Sequence, residues 1–435
     1  MLNRISKFAQ KKLKSSFLRG VLVLGSGTML SQVILILVTP LLTRIYTPEQ
    51  YGVYAILLAI TIPLSVVSCL RYEQAIMLPE DRDSAEYVLF LSLVVALITS
   101  FISVVFITVF KEDVLNLANI EAIGNWIYFL PVVVLIQGIY LSFRMWAIRQ
   151  KDFVLVTKSS LSQTIFQSVL QVSIGVIEKT SVDGLLIGQL VGRIVAMSII
   201  SFKTCTNLKC IIFKKKTITL LLAMAKRYKN FPIYVTAGNF MVSVSQQSVV
   251  LVVGAFFSAK EAGLYFLTMS ILSLPLKFIG SAIGDVYFQK IASEKTGDIA
   301  KESTIRLTRA LILFSLPIFI CLAFVAPQLF GIIFGDNWVE SGEYAKILAI
   351  MLMFRFVASP LSVSFTVYEK QKMALVWQVV YFIVTISAVL LGAYLDSMEL
   401  ALIFLSVTGT AMYIIMFHLS LNFNGVKIYD LLRPN

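Results

Sequence analysis

The amino-acid sequence predicts an all-α integral membrane protein of about twelve transmembrane helices in two pseudo-symmetric six-helix lobes. Three observations carry that prediction: composition, apolar runs of spanning length along the whole chain, and a short motif that recurs at constant spacing. The chain is 58% hydrophobic and only 14% charged, with a mean hydropathy of +0.86. Too few polar groups exist to cover a water-facing surface of 435 residues. Each run of roughly 18 or more apolar residues crosses a hydrocarbon core of about 30 Å as a helix. The runs do not alternate apolar with polar residues, which argues against a membrane β-barrel.

The elements follow in order. Segment 1–19 is basic, with Leu2, Ile5, Ala9, Leu13 and Phe17 on one helical stripe and lysines opposite. That pattern predicts a helix lying in the membrane interface, and the absence of a cleavage site before the next apolar run predicts an uncleaved anchor. The N-lobe, 20–202, holds spans predicted at Gly20 to Leu42, Gly52 to Leu70, Tyr87 to Phe110, Asn125 to Phe143, Phe153 to Ile177 and Val182 to Phe202. A basic linker, 203–230, carries Lys214, Lys215 and Lys216 ahead of the apolar Ile218 to Met224, and is expected to hug anionic membrane lipids. The C-lobe, 231–421, holds Phe231 to Phe257, Ala262 to Val286, Thr308 to Gly331, Ala345 to Tyr368, Met373 to Leu395 and Met398 to Leu421, followed by a tail, 422–435.

The net charge of +13 raises the question of nucleic acid, and the position of the charge answers it. Of the 37 Lys and Arg residues, twenty-seven fall in the termini and alternate loops on one side, and the remaining ten are divided between the other side and the spans. This is the bias that retains loops in the cytoplasm rather than a phosphate-reading surface. Both termini are therefore expected to be cytoplasmic, and no nucleic-acid partner is expected. Cys69, Cys205, Cys210 and Cys321 lack zinc or redox spacing.

The recurring motif lies around the end of the first span and the end of the seventh. Tyr46, Thr47, Pro48, Glu49, Gln50, Tyr51, Gly52, Val53, Tyr54 matches Phe257, Ser258, Ala259, Lys260, Glu261, Ala262, Gly263, Leu264, Tyr265 at an offset of 211 residues, which also brings Gly27 onto Gly238. An even number of spans between the copies gives both halves one orientation, a parallel repeat whose interface forms a midplane site. Pro48, Gly52 and Gly263 are the expected gating and turn positions.

Polar residues at membrane depth mark the candidate site. A cation at the bilayer centre costs at least about 2.5 to 3.5 kcal/mol. Arg193 and Arg355, then Lys277 and Lys158, are accordingly assigned to an anionic ligand group, since no span interior carries an Asp or Glu to neutralise them. Polar stripes add Gln32, Gln163, Gln167, Gln189, Asn239, Gln246 and Ser359, expected to face a wet cavity that accommodates sugar. The plain alternative is interhelical glue, and Gly184, Gly188 and Gly192 form a double GxxxG row suited to close packing. No nucleotide-binding loop, paired carboxylates, zinc motif or nucleophile elbow is present. The residues therefore point to a carrier rather than an enzyme, with no catalytic or metal-binding residues and no cofactor.

The block Phe17 to Leu42 followed by Thr43 to Tyr54, together with Ala262, Gly263, Leu264, Tyr265 through Pro275, Asp285 and Phe288, resembles the polysaccharide-export proteins of the O-antigen flippase (Wzx-like) type. These belong to the multidrug, oligosaccharidyl-lipid and polysaccharide (MOP) exporter superfamily. The resemblance implies a V-shaped fold of two lobes in the bacterial cytoplasmic membrane. It also implies translocation of an undecaprenyl-diphosphate-linked oligosaccharide, with a polysaccharide polymerase and glycosyltransferases as further partners. Many relatives have an acidic residue where this chain has Gln246 and Gln247, so no coupling role carries over to that position. A cation-coupled multidrug exporter, a peptidoglycan-precursor flippase and a non-transporting scaffold of a glycan-assembly complex stand as the alternatives.

Overall fold

The computed structural model describes residues 2–117, 121–178, 181–205, 215–274, 276, 281–293 and 298–432, and among these every regular element is a helix. In chain order they are α1 (Leu2–Ile45), α2 (Pro48–Val67), α3 (Tyr72–Ala75), α4 (Arg82–Leu117), α5 (Phe129–Arg149), α6 (Phe153–Ile177), α7 (Asp183–Cys205), α8 (Lys215–Arg227), α9 (Ala237–Phe256), α10 (Ala259–Leu272), α11 (Ser281–Ser293), α12 (Asp298–Phe334), α13 (Val339–Leu361), α14 (Ser364–Val367), α15 (Gln371–Tyr394), α16 (Met398–Phe423) and α17 (Ile428–Leu432). A 3-10 segment, Glu121–Tyr128, precedes α5, and a π-helical segment, Phe231–Thr236, leads into α9.

Among the described residues, eleven helices are long and apolar enough to cross a membrane, and they fall on eleven of the twelve expected spans. The eighth is the exception. Its expected range, Ala262 to Val286, takes in most of α10 and the start of α11, and the sequence between them is described only in part. Pro275 and Lys277 lie outside the described residues. At the start, the expected helix of segment 1–19 is part of α1, which runs on to Ile45. Large apolar side chains such as Phe101, Val109, Leu313 and Phe324 are exposed, the arrangement of a helix bundle whose solvent is lipid.

Internal contacts divide the chain into two units, 1–46 with 56–247 and 47–55 with 248–435. The beginning of α2 thus belongs with the second unit and the beginning of α9 with the first. In the first unit α6 packs on α7, α1 on α6 and α4 on α5. The glycine row sets the closeness of α6 and α7. A methyl group added at Gly188 would meet Gln171 and the Gln167 carbonyl, and one at Gly192 would meet the Gln163 carbonyl and Gln167 Cβ. Gly184 abuts Gly175 and the Tyr46 hydroxyl, which in turn donates to the Gln171 carbonyl at 2.7 Å. In the second unit α12 packs on α13, and α13 and α15 pack on α16. Gly392 there meets Ala401 as Gly175 meets Gly184, and in each hairpin the two positions are nine residues apart.

The amphipathic α8 lies against the first unit. Leu221 and, just beyond the helix, Tyr228 are buried in one cluster with Tyr72, Val88, Leu89 and Trp146, whereas Ile218 and Leu222 on another face are exposed. An exposed apolar face with Lys226 and Arg227 at the end of the helix suits the lipid interface.

Candidate functional site

The recurring motif builds the starts of α2 and α10 from the same parts. Thr47 caps α2 reciprocally: its hydroxyl accepts from the Gln50 amide at 3.4 Å, and the Gln50 side chain accepts from the Thr47 amide at 2.9 Å. Pro48 occupies the first helical position, where its missing N–H costs nothing. At the same offset of 211, Ser258 caps α10 by accepting from the Glu261 amide at 3.2 Å. Both starts carry the capping-box pattern in one register, a signal readable in sequence as Ser or Thr followed three residues later by Gln or Glu, and α2 completes it. The Glu261 carboxylate does not complete its box and instead accepts from the Tyr344 hydroxyl.

The two helix starts touch through the expected turn glycines. A side chain on Gly52 would strike the Ala259 carbonyl, and one on Gly263 would strike the Pro48 carbonyl. Because Pro48 pairs with Ala259 and Gly52 with Gly263 under the repeat, these two contacts are one contact seen twice, as a local two-fold requires. Gly27 and Gly238 do not share this equivalence. Gly27 packs on Thr157, while nothing lies within 4 Å of a methyl group at Gly238. Beside the crossing is a pocket of about 570 Å³ lined by Thr47, Glu49, Lys260, Asp336, Glu340 and Glu343. Lys260 bonds Glu340 at 2.7 Å, and that hydrogen bond, with Glu261 and Glu49 nearby, holds its ammonium above the usual lysine range.

The expected cations are placed differently from one another. Arg193 on α7, expected to be unpaired, donates to the Gln137 side chain of α5 at 2.9 Å. This is a correction: an amide oxygen, and not only a ligand, satisfies part of the guanidinium. Gln137 was not singled out in the sequence because nothing there pairs it with a residue in another helix. Arg355 on α13 is half-buried in the second unit, and no hydrogen bond or ion pair joins it to any described residue. Its electrostatic neighbours are the hydroxyls of Tyr265 on α10, Tyr381 on α15 and Tyr413 on α16. Trp377 stacks on Tyr381 at 5.1 Å between ring centroids and 17° between planes, and Tyr381 meets Tyr413 at 5.5 Å. The Trp377 indole is fixed by donating to the Met412 carbonyl at 2.9 Å. Tyr265 was singled out in the sequence only within the recurring motif, whereas Trp377, Tyr381 and Tyr413 were missed, each being one of many apolar-span aromatics.

The remaining expected residues are scattered. Lys158 on α6 is exposed, and Gln32, Gln163 and Gln167 are half-buried in the first unit. Gln189 is 4% exposed, with its side-chain oxygen lacking a hydrogen-bond partner among the described residues. Gln171 of the same polar stripe is buried and donates to the Leu185 carbonyl at 3.0 Å, which is interhelical glue. Asn239, Gln246 and Ser359 are exposed. Arg193 and Arg355 belong to different units. Among the described residues no group of His, Cys, Asp and Glu is arranged to hold a metal ion.

Fold and site together define a multi-pass helical membrane protein with polar and cationic groups inside its spans, the class to which transporters belong. The chain matches the family described as "Polysaccharide biosynthesis protein" over residues 41–343, and it belongs to that family. It is 27% identical over 111 residues to the teichuronic acid biosynthesis protein TuaB of Bacillus subtilis (strain 168), a match covering 25% of this chain and 23% of that protein. Its fold is that of the MOP superfamily. It resembles an inward-facing multidrug resistance MATE family transporter of that superfamily with a TM-score of 0.66 at 12% identity, covering 93% of this chain and 98% of the other. It also resembles the lipid II flippase MurJ in an inward closed conformation with a TM-score of 0.68 at 15% identity, covering 94% and 89%.

Proposed function

We propose that this chain is a flippase that moves an undecaprenyl-diphosphate-linked oligosaccharide, an O-antigen, capsule or exopolysaccharide repeat unit, across the bacterial cytoplasmic membrane by alternating access. The observation that carries this reading is Arg355: a guanidinium within a spanning helix, ringed by tyrosine hydroxyls and joined to no described carboxylate. An uncompensated cation in the low-dielectric interior is costly, and a ligand phosphate recovers that cost through a bidentate charge-assisted bond. Tyr381, Tyr413 and Trp377 offer aromatic faces and hydroxyls at the same place, chemistry that suits the apolar faces and hydroxyls of a sugar. Arg193, held by Gln137, and the half-buried Gln163 and Gln167 give the first unit its own polar interior. Membership of the polysaccharide biosynthesis family supports the same reading, as does the fold shared with a lipid II flippase.

The basic loops and both termini then face the cytoplasm, and the α2–α10 crossing lies toward the opposite side. The multidrug reading has the fold in its favour but requires a cation-accepting carboxylate within a span, and no span interior has one. Replacement of both Arg193 and Arg355 by Gln is expected to abolish surface glycan in cells while membrane abundance stays at the wild-type level. Full surface display by the double variant would remove the anion-binding role.

A further inference from the structure

Proton coupling needs a group that titrates, and no interior of the expected spans carries an acid. The structure places one just outside them. Between α2 and α4 the backbone turns through Leu70 (φ 48°) and Arg71 (φ 59°), a left-handed pair that non-glycine residues rarely adopt, and this turn sets α3 into the interior of the first unit. Glu73 in α3 is 3% exposed. Its Oε1 accepts from Arg71 Nη1 at 3.5 Å, at the long limit for such a bond. Neither Glu73 Oε2 nor Arg71 Nε has a hydrogen-bond partner among the described residues. A buried pair satisfied on one side only does not recover the desolvation of its charges. Burial accordingly pushes the Glu73 carboxyl above the ordinary carboxylate range, against the pull of the backbone and of Arg71.

The elements packed on α3 bring few competing charges. From α4, Glu86 is engaged by Arg82 at 3.0 Å. From α5, Arg149 is spent on the Ile76 and Pro79 carbonyls at 2.9 and 2.6 Å. Ahead of the π-helical segment, the Tyr228 hydroxyl is buried without a hydrogen-bond partner among the described residues, and at the end of α2 the Cys69 thiol faces the Gly138 carbonyl at 3.2 Å. Among the described residues, Arg71 is the one charged side chain acting on Glu73.

We propose that Glu73 is a proton-binding site of this transporter, loaded from the side of the membrane that carries the basic loops, and that loading releases the Arg71–Glu73 pair. One O–H bond forms on the carboxyl with a proton from water. Arg71 remains a guanidinium, so the pair passes from neutral to a charge of +1. The consequence falls on α3, which packs on α4, α5 and the π-helical segment Phe231–Thr236 and is tied to α8 by the Tyr72 hydroxyl donating to the Ala225 carbonyl at 3.3 Å. Protonation thus changes what holds α3 against the stretch where Pro232 and the wider π turns interrupt the helix.

The proposal rests on the transporter reading, but its first test needs no substrate. A native carboxyl pKa above the unfolded value of about 4.3 means that the native state binds the proton more tightly. Stability from Glu73 is then fully present below that ordinary value and is lost as pH rises through the raised native one. The unfolding temperature of the purified full-length protein should fall across this window relative to that of Glu73→Gln, which stays level. Arg71→Gln should move the window to higher pH, and it serves as the test where Glu73→Gln does not accumulate. Parallel pH profiles of all three proteins would overturn the site. In proteoliposomes, the flipping rate of an undecaprenyl-diphosphate-linked oligosaccharide should follow pH through the same window in the wild type and not in Glu73→Gln. An unaltered pH dependence of flipping in that variant would overturn the coupling. A wild type that shows the unfolding window yet flips nothing would support the proton site and defeat the substrate reading instead.

Discussion

Arg355 and Arg193 are both arginines at membrane depth, and only their surroundings separate them. Arg193 has Gln137 to receive part of its charge, whereas Arg355 has tyrosines. Of the two single variants, Arg355→Gln is therefore expected to lose more export, and Arg355→Lys to restore only part of it, because an ammonium cannot make the planar bidentate bond to a phosphate. Surface glycan measured per unit of membrane protein checks the order; equal losses at both positions would make the aromatic surroundings irrelevant. The positions of these cations were legible in the sequence, since a charge in an apolar run stands out without any structure. Their neighbours were not, because Tyr265, Arg355, Tyr381 and Tyr413 come from four helices and only packing brings them together. Glu73 reads in sequence as an ordinary loop acid, and only the left-handed turn before it explains why it is buried.

The helix starts follow local rules that sequence alone states well. Loss of a cap at Thr47→Ala or Ser258→Ala should each cost about 1 kcal/mol. Gly52→Ala and Gly263→Ala should each cost about 1 to 3 kcal/mol by overpacking, and by similar amounts, because the two contacts are equivalent. Gly25→Ala and Gly238→Ala have open space around the added methyl and should be neutral or stabilising by up to about 1 kcal/mol through helix propensity. Unfolding temperatures of the purified variants distinguish these signs. Gly52 and Gly263 were legible as a repeated pair, but the same reading also paired Gly27 with Gly238, whose environments differ. A shared offset identifies equivalent positions; what each touches depends on helices packed later.

At the scale of the whole chain, composition and loop charge carried most of the architecture: among the described residues, eleven spanning helices stand where they were expected, and α10 and the start of α11 fall within the expected eighth. The count also fixes a topology. In a cysteine-free background, Asn337→Cys, between α12 and α13, should react with an impermeant thiol reagent in intact cells. Lys372→Cys, at the start of α15, should react only in inverted vesicles. Labelling of both from the same face would break the alternation on which the orientation rests. The central claim is that Arg355, set among tyrosines within a span, holds the anionic group of a lipid-linked glycan. It is tested most directly by reconstituting the purified chain with an undecaprenyl-diphosphate-linked oligosaccharide placed in one leaflet and measuring arrival of the sugar at the other. Wild-type protein should equilibrate the sugar, and Arg355→Gln, incorporated to the same level, should not. Equal flipping by both, or none by either while a cationic dye is transported, would contradict it.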